Sequence, residues 1–203
     1  GLQYIFNVNN TIKLQLLIIV FICFIYIWTA VSGLDNGMKK LSNINLALAS
    51  VLFIGCFFIG PSAEIINTFI NGMGDYINYF VSQSLFINPV SDNDWVYRWR
   101  IFYWAYSISW TPFVGVFIAR ISKGRTIKEF VLGVIVIPSI ICMAWFTIFG
   151  MMGMELGLDF AKDAIGCTET TLFMVLSNYK YGVLFSIISI ILLFTFFITS
   201  ANS

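Results

Sequence analysis

Two groups of residues have the types and spacing to do chemistry. The first is an aromatic stretch, Trp99 to Trp110, containing Phe102, Tyr103, Trp104 and Tyr106 and followed by Phe113. At 3.6 residues per turn, Trp99, Phe102 or Tyr103, Tyr106, Trp110 and Phe113 or Val114 fall on one stripe. Stacked ring faces can hold an organic cation through their quadrupole, without any buried carboxylate. The simpler role is an aromatic belt or packing against neighbouring helices. Trp95 and Trp99, near the helix end, fit that role, whereas Trp104 and Trp110 lie deeper, beside Thr111-Pro112. The proline removes one backbone donor and marks an expected interruption. The second group is Thr199-Ser200, near the end of the chain. Adjacent hydroxyls can give oxygen ligands to a small hard cation such as sodium. Bonding back to their own helix is the competing role and on spacing alone the stronger one, since Ser186 and Ser189 on the same segment need no special task.

Stepping outward, both groups lie in segments that water cannot solvate. The chain of 203 residues is 59% hydrophobic and only 10% charged, against about 25% charged in a soluble domain. Residues 14–34, 41–63, 101–119, 130–154 and 181–203 contain no Asp, Glu, Lys or Arg. Each is close to the roughly 20 residues that cross a bilayer as a helix, and none alternates polarity as a barrel strand would. The pattern predicts an all-α integral membrane protein. Its five transmembrane helices are expected at about 12–33, 41–60, 95–121, 126–154 and 181–201. Between them, 62–88 and 157–178 have apolar residues at spacings of three and four among polar ones, and are expected as amphipathic helices along the interface. Gly33 to Lys40 is expected as a turn, and Gly72 and Gly74 as a kink. Gly133, Gly150 and Gly153 are expected to allow close helix packing.

The loops between the first and second and between the third and fourth spans hold six basic residues, including Lys39, Lys40 and Arg125, and carry net +4; the remainder carries −3. The positive-inside rule puts those two loops in the cytoplasm and Cys167 outside. The chain begins at Gly1 and stops at Ser203 directly after an apolar run, with nothing like a signal peptide at its start. We expect an internal piece of a longer membrane protein.

Several classes are excluded or disfavoured. There is no histidine, so Ser-His and Cys-His catalysis and histidine-bound metal are excluded within this stretch. Cys23, Cys56, Cys142 and Cys167 form neither a disulfide framework nor a zinc pattern. A net charge of +1 argues against a nucleic-acid partner. An enzyme would need polar catalytic groups in a cleft, and a channel subunit a repeated pore-lining polar face; the spans have neither. A small-molecule substrate and the lipid are the expected partners.

Phe102-Tyr-Trp-Ala, Ile108-Ser-Trp110-Thr-Pro-Phe-Val-Gly and Phe117-Ile-Ala-Arg-Ile-Ser-Lys-Gly-Arg-Thr-Ile-Lys-Glu-Phe130 resemble the signature of the betaine–carnitine–choline transporter family. Ser32-Gly-Leu-Asp-Asn-Gly37 with Leu41-Ser-Asn-Ile-Asn45, Trp145-Phe-Thr-Ile-Phe-Gly150 and Phe196-Phe-Ile-Thr-Ser-Ala-Asn-Ser203 extend the resemblance over essentially the whole chain. It implies a twelve-helix secondary transporter of the plasma membrane with a leucine-transporter-type inverted-repeat core, of which this is the sixth to tenth helices. It further implies transport of a betaine-, choline- or carnitine-like osmolyte, no cofactor beyond sodium as coupling ion, and a possible homotrimer. Substrate contact falls to Phe102, Trp104, Tyr106, Ser107 and Trp110, and sodium sites to Thr199 and Ser200 and to Phe113. The family has a Trp pair where this chain has Tyr106-Ser107, and Ser107 cannot close an aromatic box. The intact Thr199, Ser200 and Phe113 favour sodium coupling over sodium-independent antiport.

Overall fold

In the computed structural model, residue 5 and residues 11–31, 34–86 and 96–201 are described, and among them the regular structure is all helical. In chain order the helices are α1 (Ile12–Val31), α2 (Leu34–Ile59), α3 (Ser62–Leu85), α4 (Phe102–Ile121), α5 (Ile127–Val131), α6 (Ile137–Glu155), α7 (Gly157–Gly166), α8 (Thr171–Ser177) and α9 (Gly182–Ala201). A π-helical turn, Val96–Ile101, leads into α4; another, Leu132–Val136, joins α5 to α6; and a 3-10 turn, Thr168–Thr170, joins α7 to α8. Among the described residues, four helical segments are long and apolar enough to cross a membrane: Lys39–Ile59, Val96–Arg120, Ile127–Glu155 and Gly182–Ser200. At 1.5 Å per residue their 19 to 29 residues reach about 28–44 Å. α1, of 20 residues, is also apolar over most of its length. Their outer faces carry many exposed large side chains, among them Ile54, Phe58, Phe117, Phe146 and Phe197, a surface suited to lipid and not to water.

Local chemistry sets several of the helix ends. Thr126 and Glu129 form a capping box: the Thr126 hydroxyl accepts from the Glu129 N–H, and the Glu129 carboxylate accepts from the Thr126 N–H. Two orphan donors are thereby satisfied at the start of α5. α2 ends at Gly60-Pro61, and the Ser62 hydroxyl donates to the Phe57 carbonyl at 2.7 Å. At the far end, Tyr181 has φ 63°, the left-handed region that a bulky residue rarely enters. It turns the chain so tightly that a Cβ at Gly182 would sit 1.9 Å from the Leu176 carbonyl oxygen.

Three expectations are corrected. The stretch 33–40 is helical from Leu34 onward, not a turn. Met38, Lys39, Lys40 and Leu41 are good helix formers, and an isolated Gly37 costs only about 1 kcal/mol relative to alanine. α4 runs straight through Thr111-Pro112. Only one backbone donor is lost there, the one that would have met the Ile108 carbonyl; the Thr111 hydroxyl bonds back to the Ser107 carbonyl at 2.8 Å, as a helical threonine can. The backbone is instead widened ahead of Pro138, where the Ile137 N–H reaches back five residues to the Leu132 carbonyl, a π-type turn of the kind that accommodates a proline ring. Finally, 157–178 is two short helices that break at Gly166-Cys167, and the second buries Phe173, Val175 and Leu176 in protein.

The chain divides into two compact units, residues 1–69 with 144–203, and residues 70–143. In the first, α9 packs on α2, α8 and α1. Leu52, Cys56, Ile65, Ile148, Met152, Val175, Leu176 and Phe185 form one buried cluster there. Its closest approach is at Gly55, where an added Cβ would meet the Phe185 ring at 2.3 Å. So the glycines that matter for packing are not the expected ones: a Cβ at Gly133 or Gly150 would meet nothing within 4 Å among the described residues, and at Gly153 only Val175 at 3.7 Å. In the second unit, the Arg100 guanidinium sits over the Phe86 ring at 5.6 Å and donates to the Phe86 carbonyl. It also reaches Gln83 Oε1 at 3.4 Å, tying the end of α3 to the π-helical turn before α4.

Candidate functional site

The aromatic stripe of α4 is a continuous ladder of rings. Trp99 stacks on Tyr103 with centroids 5.8 Å apart and planes 10° from parallel, and Phe102 on Tyr106 at 6.2 Å and 20°. Tyr106 continues to Trp110 at 6.0 Å, and Trp110 to Phe113 at 6.4 Å. Edge contacts of Tyr103 with Phe102 and with Tyr106 cross-link the two rows. Spacings of 4.5–7 Å are those of favourable ring pairs, worth about 0.5–1.5 kcal/mol each beyond area burial. Such contacts hold the rings in fixed orientations, as a surface for a cation requires. Phe102, Tyr106, Trp110 and Phe113 are brought together in this way. Trp104 is not in the ladder; its register puts it nearer the Ser107 side of the helix. Trp95 lies outside the described residues. The rings are at least half exposed, from 50% at Trp110 to 73% at Phe113.

The hydroxyl pair lies in the other unit, on α9. Thr199 donates to the carbonyls of Phe196 at 2.9 Å and Thr195 at 3.1 Å, the back-bonding open to any helical threonine. Ser189 does the same, to Phe185 at 2.8 Å. What sets Thr199 apart is a partner on another helix. Asn45 Nδ2 of α2 donates to Thr199 Oγ1 at 3.2 Å. Together the two helices enclose a pocket of about 380 Å³, lined by Ser42, Asn45 and Ala49 on one side and Phe196, Thr199 and Ser200 on the other. It offers neutral oxygens and no carboxylate, a donor set that fits a monovalent hard cation better than a transition metal. Phe113 belongs to residues 70–143 and the hydroxyl pair to the first unit, so each is described by itself.

Asn45 has no assigned role in the sequence analysis, where it is only part of a matching string. Its signal is present in the sequence all the same: it is an amide carried into the charge-free span 41–63, and a polar group taken into such a segment needs a partner.

A larger and mostly apolar pocket, about 490 Å³, lies between α6 and the α7–α8 hairpin, with Phe149, Gly153, Phe160, Ala164 and Val175 among its walls. It contains none of the expected site residues.

Comparison with known proteins gives a consistent result. A family model described as BCCT, betaine/carnitine/choline family transporter, matches residues 1–203. The glycine betaine transporter OpuD of Bacillus subtilis is 43% identical over 206 residues, covering 100% of this chain and 40% of that protein. The ectoine/hydroxyectoine transporter of Virgibacillus pantothenticus is 39% identical over 207 residues, again 100% of this chain and 41% of that protein. A glycine betaine/proline/choline/ectoine transporter of Vibrio parahaemolyticus, VP1456, is 38% identical over 213 residues, 100% of this chain and 36% of its own length. The chain thus spans about two fifths of the length of these curated relatives.

Proposed function

Since the chain belongs to the betaine/carnitine/choline family of transporters, a family of multi-pass membrane proteins and not of enzymes, we propose that it is a section of a secondary active transporter for a quaternary ammonium or related zwitterionic osmolyte. The substrates named for its relatives (glycine betaine, choline, proline, ectoine) are small and carry a cationic nitrogen. The observation that carries the reading is the ring ladder from Phe102 to Phe113. A cation–π contact is worth about 0.5–2 kcal/mol, and the apolar spans have no acidic side chain to do that work instead. Phe102, Tyr106 and Trp110 supply ring faces, Trp104 the adjacent side, and Ser107 leaves room where the family has a second ring.

Transport runs by alternating access around a site at mid-membrane depth. In this reading α1 is a fifth span, residues 62–88 and 157–178 lie at the membrane surface, and the section forms part of an inverted-repeat core in the cell membrane. Sodium is the coupling ion, held by Thr199 and Ser200 and, at a second place, near Phe113. Three copies of the full protein assemble.

The test is uptake of labelled glycine betaine by the full-length protein in sealed vesicles. Uptake driven by an inward sodium gradient supports the proposal. Uptake that runs only with a trans-loaded substrate, regardless of sodium, would favour an antiporter.

A further inference from the structure

Asn45 of α2 is a polar side chain buried at the contact with α9. The residue is only 5% exposed. Its Nδ2 donates to Thr199, but its Oδ1 is buried with no hydrogen-bond partner among the described residues. A buried acceptor without a donor is unfavourable, and an apolar side chain of similar volume would fill the same space without that cost. Stability therefore gives no reason for an amide here. The N–H does something a leucine cannot.

What it does follows from the bookkeeping of one hydroxyl. A threonine hydroxyl has a single proton and two lone pairs. The Thr199 proton goes to its own helix, to the Phe196 or Thr195 carbonyl, and the Asn45 N–H meets the oxygen from the opposite helix at 3.2 Å. With a donor on one side and carbonyls on the other, the hydroxyl cannot swing its proton into the pocket it lines. A cation entering there meets oxygen and not hydrogen. Preorganisation of this kind improves affinity by removing an ordering cost.

We propose that Asn45 is a positioning residue for the Thr199 hydroxyl and thereby sets the affinity for the coupling ion; the proposal rests on the sodium reading given above. Asn45 acts through Thr199, so its effect is confined to the ion.

The test uses the full-length protein with Asn45→Leu, which removes donor and orphan acceptor together. The sodium concentration for half-maximal uptake of labelled glycine betaine should rise roughly two- to tenfold, the net effect of one hydrogen bond. Substrate affinity at saturating sodium should be unchanged, and the melting temperature in detergent equal or higher, because the buried orphan oxygen is gone. Combined with Thr199→Ala, Asn45→Leu should add nothing to the sodium effect, since both remove the same interaction. If Asn45→Leu does not reach the membrane, Asn45→Ala is read by the same criteria. An unchanged sodium requirement, an additive double variant, or a fall in stability without a sodium effect would each overturn the proposal while leaving the sodium reading intact. Wild-type uptake that ignores sodium would overturn both.

Discussion

The hydroxyl of Tyr179 lies 2.5 Å from the carboxylate of Glu155, joining the loop after α8 to the end of α6. The same hydroxyl is 2.9 Å from the Met152 carbonyl oxygen, so one proton is shared between two acceptors on one helix end. Tyr179→Phe should lower stability by about 0.5–1.5 kcal/mol, read as a lower melting temperature of the full-length protein in detergent. There is a pH signature as well. Burial, and then the hydrogen bond to Glu155 and its negative charge, hold the phenol above the ordinary tyrosine value. The folded state therefore keeps a proton that the unfolded state releases from about pH 10. This contribution is complete below that pH and is lost as pH rises further, so the wild type should lose melting temperature between pH 9 and 11 more steeply than Tyr179→Phe. Parallel curves would show that the hydroxyl does not couple to folding.

For the ring ladder, the comparison is between two tryptophans on the same stripe. Trp110→Leu should weaken uptake several-fold or more, from a cation–π contact of about 0.5–2 kcal/mol, whereas Trp99→Leu near the helix entry should do less. Equal losses at both positions would assign Trp110 to packing. Ser107→Trp should shift the preference toward betaine-like substrates, measured by competition among labelled osmolytes.

Thr199→Ala combined with Ser200→Ala removes two oxygens from the pocket between α2 and α9. The expected result is a higher sodium concentration for half-maximal uptake, with substrate binding at saturating sodium less affected. Linkage requires sodium and substrate to change each other's affinity by the same factor. Sodium titrations at low and high substrate should therefore separate by that factor in the wild type and converge in the variant.

Sidedness can be read from one thiol. Cys167 is exposed at the break between α7 and the 3-10 turn. With the other cysteines replaced, an impermeant maleimide added outside intact cells should label Cys167 and should not label a cysteine substituted for Arg125. The reverse pattern would invert the topology.

Much of this architecture is written in local sequence. The charge-free runs, the Thr126–Glu129 capping box and the Gly60-Pro61 helix end each depend on residues within a few positions of one another. What could not be read depends on distant partners. Pro112 is a helix breaker by type, yet it costs the helix a single backbone donor and α4 continues through it. The segment 157–178 has the periodicity of a surface helix, but what buries Val175 and Leu176 is a cluster built with residues of α2, α3, α6 and α9. The ladder on α4 was legible because it lies within one helix. The Asn45–Thr199 contact was not, because no periodicity links residues so far apart.

That separation has a consequence for how the protein is made. Asn45 and Thr199 are 154 residues apart in the chain. At about 5–20 residues per second of synthesis, α9 leaves the ribosome on the order of ten to thirty seconds after α2. Throughout that interval an amide destined for the helix–helix contact has to wait in or beside the membrane, where an unmatched polar group is costly. Gly55 waits likewise, as an open notch until Phe185 arrives to fill it. Until α9 arrives to close the gap, the early helices must therefore shield the Asn45 amide by their contacts with one another.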